Sequence, residues 1–157
     1  MNKIQYIKYN INVINMKKIN KKQLAISIIV PLLLGGIVGF LIKDATKSYD
    51  GFIPSYVFPI VWSILYILMG IASYLVRNYK ELTNIYKINL FVNYLWPIIF
   101  FLLNLKFLAL LELILLIVIV IYMISKFYKK NKIAAYLLIP YILWLFVAFF
   151  LNLSQVV

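Results

Sequence analysis

The chain has 157 residues, 66% of them hydrophobic and 13% charged, with a formal net charge of +12. Soluble domains carry roughly 25% charged residues, so water is the wrong solvent for most of this surface, and one membrane domain is the expected unit. There is no cysteine and no histidine, which excludes a disulfide framework, a thiol nucleophile, the usual zinc sites and histidine-centred acid–base chemistry.

Residues 1–22 are expected to form a basic, disordered tail. "MNKIQYIKYNINVIN" is rich in Asn, Ile and Lys without a helical stripe, and "MKKINKKQ" from Met16 reads as a second candidate start of translation. Five apolar segments follow. Leu24 to Ile42, Gly51 to Val76, Ile88 to Leu105 and Ile133 to Val157 are uncharged, and Glu112 is the only charge from Phe107 to Ser125. A helix needs ~20 apolar residues to cross a bilayer. Backbone groups in hydrocarbon must bond within their own segment, and these segments are too long for ~10-residue barrel strands. The predicted fold is an all-α integral membrane bundle of five transmembrane helices, a single domain over residues 23–157. The helices fall near 23–43, 55–77, 86–105, 107–126 and 132–154. A cleaved signal peptide over Met16 to Ile42 is the rival reading of the first helix. Its apolar core is long for a signal and no Ala-x-Ala site follows it, so a retained helix is expected.

With five spans, the tail shares one side with the loops after helices two and four. Of the 16 Lys and Arg, only Lys43, Lys47 and Lys106 fall on the other side. The positive-inside rule then places the N-terminus in the cytoplasm and the C-terminus outside, as in a multi-pass cell-membrane protein of the bacterial inner-membrane type. This asymmetry accounts for the net charge. No nucleic-acid partner is implied, because the basic residues are scattered over three short segments.

Helices three and four, joined by little more than Asn104 to Lys106, are expected to form a tight antiparallel pair. The loop Lys43 to Ser55 is either a lid, with Tyr49 and Pro54 as its notable residues, or a plain connector. Pro54 and Pro59 suit the start of a helix, where a missing N–H has no partner to lose. Gly35 and Gly39 form a GxxxG in helix one, the usual sign of close helix packing. Trp62 and Tyr66 stand four residues apart and share a helix face; spacing alone leaves packing and pocket wall both open. Asn93 precedes Trp96 by three residues and serves either an interhelical hydrogen bond or a ligand. Trp144 lies deep in its segment, away from an interfacial belt. Glu112 is an ionisable group inside a span, read as functional or as an interfacial cap near Lys106.

"FIPSYVFPIVWSILYILMGIASYLV" resembles the second-helix signature of the TspO/MBR family, the tryptophan-rich sensory proteins related to the mitochondrial translocator protein. "NYLWPIIFF" resembles the third-helix motif through Asn93, Trp96, Pro97, Phe100 and Phe101. "LLIPYILWLFVAFFLN" resembles the fifth through Pro140, Tyr141, Trp144, Ala148 and Asn152. Glu112 matches an acidic residue early in helix four, and the similarity covers about Gly35 to Leu153. The sequence departs from the pattern in a shorter first loop, in Ile53 for the first of two paired prolines, and in Tyr56 where Trp is usual.

The resemblance implies a five-helix bundle, often a homodimer, with a pocket open toward the first loop and a porphyrin, related tetrapyrrole or other hydrophobic small molecule as ligand. Carried over by motif, the lining residues are Trp62, Tyr66, Asn93, Trp96, Phe100, Trp144 and Ala148. Flat aromatic faces suit a planar macrocycle, and Asn93 offers a donor and an acceptor. No resident cofactor and no metal site is expected. Three function classes stay open: a tetrapyrrole receptor or transporter-like protein, a light- and oxygen-dependent porphyrin-degrading enzyme using Trp62 and Trp144, and a partner-organising membrane protein. Membrane lipids surround all three.

Overall fold

The computed structural model describes residues 19–49, 51 and 53–156. Most of the expected tail, and Met16 with it, lies outside the described residues. Five helical stretches are long and apolar enough to cross a membrane, and the described residues are all-helical in their regular structure.

The first helix, α1 (Lys21–Ile42), begins where Asn20 Oδ1 accepts the Gln23 N–H at 3.0 Å, so one otherwise orphan amide is satisfied. The Asn20 N–H donates to the Tyr74 hydroxyl (2.7 Å) and ties this end to α2 (Val57–Leu75). Pro31 inside α1 offers no N–H to the Ser27 carbonyl. Gly70 of α2 packs against that gap. A β-carbon there would meet the Ser27 carbonyl oxygen and stand 2.9 Å from Ile28 Cα. Close helix approach through a small residue is therefore made by Gly70. The GxxxG expectation holds only in half. Gly35 lies under the Tyr66 ring, but Gly39 faces open space, with nothing within 4 Å of an added β-carbon.

A 3₁₀ turn, Ala45–Ser48, starts the first loop. The third span is α3 (Lys80–Pro97) and a π-helical turn, Ile98–Leu102. It begins at Lys80, well before the expected 86, because Lys80, Glu81 and Lys87 extend the helix beyond its apolar part. Pro97 cannot donate to the Asn93 carbonyl, and beyond it the helix widens. The Leu103 N–H reaches the Ile98 carbonyl at 2.9 Å and the Leu105 N–H reaches Ile99 at 3.0 Å. Lys106 Nζ donates to the Phe100 carbonyl (2.9 Å). Asn104, at φ 54, reverses the chain in the left-handed region that Asn tolerates.

Next comes α4 (Lys106–Tyr128), then α5 (Lys132–Tyr136) and α6 (Ile139–Leu153), which together make the fifth span. One helix was predicted over 132–154, but the chain turns at Leu137 and Leu138. Pro140 has no N–H for the Tyr136 carbonyl, and the Leu138 N–H instead reaches Ala135 at 3.1 Å.

The helices close a ring: α1 beside α2 and α3, α4 beside α3 and α6, and α2 against α5 and α6. On α4, Ala109, Leu113, Leu116, Val120, Met123 and Phe127 are buried at alternating three- and four-residue spacing. Leu111, Leu115 and Val118 on its other side are exposed, as a lipid-facing surface requires. Helix α1 buries only Pro31 and Ile42.

At the loop end, Asn152 joins three helices. Its Oδ1 accepts from Trp96 Nε1 (3.2 Å) and its Nδ2 donates to the Lys106 carbonyl (2.8 Å). Asn152→Leu is expected to lower stability by about 1–2 kcal/mol, from two interhelical bonds of ~0.6 kcal/mol each and a stranded indole donor. A thermal melt in detergent checks this, and an unchanged midpoint would show the tie to be idle.

Candidate functional site

Between the second half of α1, the first half of α2 and the end of α3 lies a cavity of about 460 Å³, within the range of small-molecule pockets. Gly36 and Gly39 line it and contribute no side chain to fill it. Loop residues Thr46, Ser55 and Tyr56 reach its mouth, together with Lys43 at the end of α1.

Four sequence-predicted residues meet on its wall: Trp62 and Tyr66 from α2, Asn93 and Trp96 from α3. The Trp62 and Tyr66 rings are stacked, with centroids 5.5 Å apart and planes 27° apart. Behind them a buried chain of hydrogen bonds fixes the wall. Tyr66 donates to Asn93 Oδ1 (2.9 Å), and Asn93 Nδ2 donates to the Tyr141 hydroxyl (3.1 Å). Asn89 Nδ2 reaches the same hydroxyl at 3.2 Å. Tyr94, its ring beside Tyr66, donates to the Pro31 carbonyl at 3.0 Å. Three helices thus hold one tyrosine ring in place. Both polar ends of Asn93 are occupied by protein, so it orients Tyr66 in addition to facing the cavity.

The other three predicted lining residues stand one layer back. Phe100 is 1% exposed, stacked on Trp96 (5.0 Å, 18°) with Lys106 Nζ 3.6 Å from its ring centroid. The cavity receives Phe101 instead, on a helix whose register the π turn shifts after Pro97. Trp144 meets Phe58 edge-on (6.0 Å, 73°), and Phe58 is the residue that faces the cavity. Ala148 is fully buried. Of the lid residues, Tyr49 packs edge-on against Phe58 and Phe101, both at 5.6 Å, while Pro54 is exposed in the turn before α2. Neither lines the cavity itself.

The polar groups at the mouth are mostly self-satisfied. Thr46 Oγ1 donates to the Lys43 carbonyl (2.8 Å) and Ser63 Oγ to the Pro59 carbonyl (2.7 Å). Among the described residues Lys43 is the only cation lining the cavity, and its Nζ sits 4.3 Å over the Phe40 ring. Sequence reasoning missed Gly36, Phe58, Phe101 and Lys43. Glu112, on α4, is not a cavity residue; its carboxylate oxygens are buried and make no hydrogen bond within the protein.

A cavity of this kind offers aromatic faces, an apolar floor and one positive charge at the rim. Among the described residues it has no nucleophile–base pair, and no group of three or more metal-ligating side chains occurs among them.

Similarity to known proteins agrees with this architecture. The TspO/MBR family matches residues 27–157. The chain is 29% identical over 151 residues to the tryptophan-rich protein TspO of Chlorobaculum tepidum, covering 86% of this chain and 96% of that one. It is 32% identical over 118 residues to the protein CrtK of Rhodobacter capsulatus, covering 71% and 74%. It is 35% identical over 103 residues to translocator protein 2 of Mus musculus, covering 59% and 62%. With five apolar spans, a ring-shaped bundle and the family's match over most of its length, this chain is a multi-pass membrane protein of the TspO/MBR family.

Proposed function

We propose that the cavity between α1, α2 and α3 binds a planar, largely apolar molecule of the porphyrin class, as a membrane receptor or transporter-like protein does. The stacked Trp62–Tyr66 wall carries this reading. A flat macrocycle gains from offset stacking on such a surface, and the Tyr66–Asn93–Tyr141 chain keeps the rings from collapsing into the space. Lys43 at the rim suits a peripheral carboxylate, because an ammonium there is a point charge on a flexible stem. Binding through shape and stacking needs no iron, and the chain has no His or Cys to hold one.

Titration of the purified chain with metal-free protoporphyrin and with haem tests this. The two are expected to bind within about tenfold of each other, ~1.4 kcal/mol. Tighter haem binding with the spectrum of a strong protein axial ligand would overturn the reading, as would no binding of either. Illumination of the complex in air separates binding from turnover: new tetrapyrrole products would favour the degrading enzyme.

The same reading puts the cavity mouth outside the cytoplasm, since most lysines flank the opposite end. A C-terminal phosphatase fusion is therefore expected to be active, and a fluorescent fusion that folds only in the cytoplasm dark. The reverse pair of results would invert the orientation.

A further inference from the structure

At the end of the bundle that holds the start of α1, the turn between α2 and α3 and the end of α4 enclose a second concavity. It measures about 450 Å³ and is lined by residues 78–82 together with Lys126, Lys129 and Lys130. Among the described residues Glu81 is the only acid lining it, and it pairs with Lys126 at 3.6 Å. Lys80, Lys129 and Lys130 have no carboxylate within 4.0 Å among the described residues. Three ammonium groups from two separate turns thus line one groove without compensation.

Its depth can be read from the tyrosines around it. Tyr79, Tyr122, Tyr128 and Tyr136 are 42–58% exposed at this end of the bundle. Exposed tyrosines on a membrane protein gather at the interface. Three of them carry lysines on their rings: Lys130 on Tyr79 and Lys126 on Tyr122, both at 5.1 Å, and Lys132 on Tyr128 at 5.5 Å. That places the lysine heads at the level of lipid phosphates, and the neighbouring Ile133 is exposed apolar surface. Setting membrane orientation needs lysines on this side, but it does not need them to converge. Lys87 and Lys132 flank the same end and stay out of the groove.

We propose that this groove binds the headgroup phosphate of an anionic phospholipid from the leaflet on the N-terminal side. Lys80, Lys129 and Lys130 donate to the phosphate oxygens, Glu81 remains with Lys126, and the lipid tails run down the outside of the bundle. Basic pockets beside membrane helices bind anionic headgroups by this means. The site is independent of what the first cavity holds.

The test uses the full chain in phosphatidylcholine vesicles, with spin-labelled phosphatidylglycerol and spin-labelled phosphatidylcholine as probes. The parent is expected to retain the anionic probe preferentially. The Lys129→Gln/Lys130→Gln double variant is expected to lose that preference by about tenfold or more, near fivefold per lysine. Lys87→Gln/Lys132→Gln removes the same charge outside the groove and is expected to cost clearly less of the preference than the groove pair. Equal losses in both double variants would mean diffuse surface attraction and would overturn the proposal, as would an unchanged preference in the first. Displacement of the lipid probe by inorganic phosphate at constant ionic strength would overturn the lipid assignment, and resistance to it supports the lipid.

Discussion

Trp62→Ala is expected to weaken protoporphyrin binding about tenfold or more, and Trp144→Ala much less. Trp62 presents its ring to the cavity and carries Tyr66 stacked behind it. Truncation removes one stacking surface, worth ~0.5–1.5 kcal/mol beyond its area, together with part of the buried area. That sum passes the ~1.4 kcal/mol that makes a factor of ten. Trp144 stands behind Phe58 and does not line the cavity, so its loss reaches the ligand as slack in that ring. Trp62→Phe is expected to fall between parent and Trp62→Ala, because a flat face survives. The shift of the porphyrin absorbance band on titration reads each variant, after a melt has confirmed folding. If Trp62→Ala folds and binds as tightly as the parent, the ligand sits elsewhere. If Trp144→Ala loses as much as Trp62→Ala, the cavity extends behind Phe58 when occupied.

The spans were legible because a bilayer punishes charge. Four uncharged segments and one with a lone Glu112 were enough to count five helices. Their ends were less legible, since α3 runs to Lys80 on charged residues that the apolar count discards. The irregularities follow proline. Pro97 opens the π turn and Pro140 splits the fifth span, and both effects depend on which carbonyl is left without a partner. The first shifts the register after Trp96, which is why the cavity takes Phe101 where the motif pointed to Phe100.

Small residues were the hardest to read. A glycine pattern announces only missing side chains, not whether another helix or empty space replaces them. Gly70 is filled by the backbone of α1, whereas Gly36 and Gly39 form part of a cavity wall. The hydrogen bonds of Tyr66, Asn93 and Tyr141 join three helices over sequence separations of 27 and 48. Nothing in a one-dimensional pattern states such a pairing, although each residue stood out within its own helix.

Gly70→Val is expected to destabilise the bundle by about 1–3 kcal/mol or more. The added β-carbon would fall on the Ser27 carbonyl oxygen and crowd Ile28 Cα. Both belong to the backbone of α1, and no rotamer change can move them. The clash also lies where Pro31 has already removed a ladder bond, so α1 must shift as a whole or detach from α2. Detachment would open the most extensive helix–helix contact in the bundle, α1 with α2, although α1 itself buries only Pro31 and Ile42. Losing α1 also removes one wall of the cavity, so porphyrin binding is expected to fall along with the melting midpoint. Gly35→Ala is expected to cost less. Its neighbour is the Tyr66 ring, which can give way only by straining the bond to Asn93. Gly39→Ala meets nothing and is expected to be neutral or slightly stabilising, because alanine is the better helix former. Melts of the three variants in one detergent decide the order. If Gly39→Ala destabilises as much as Gly70→Val, α1 packs through its GxxxG face and the cavity between it and α2 is closed.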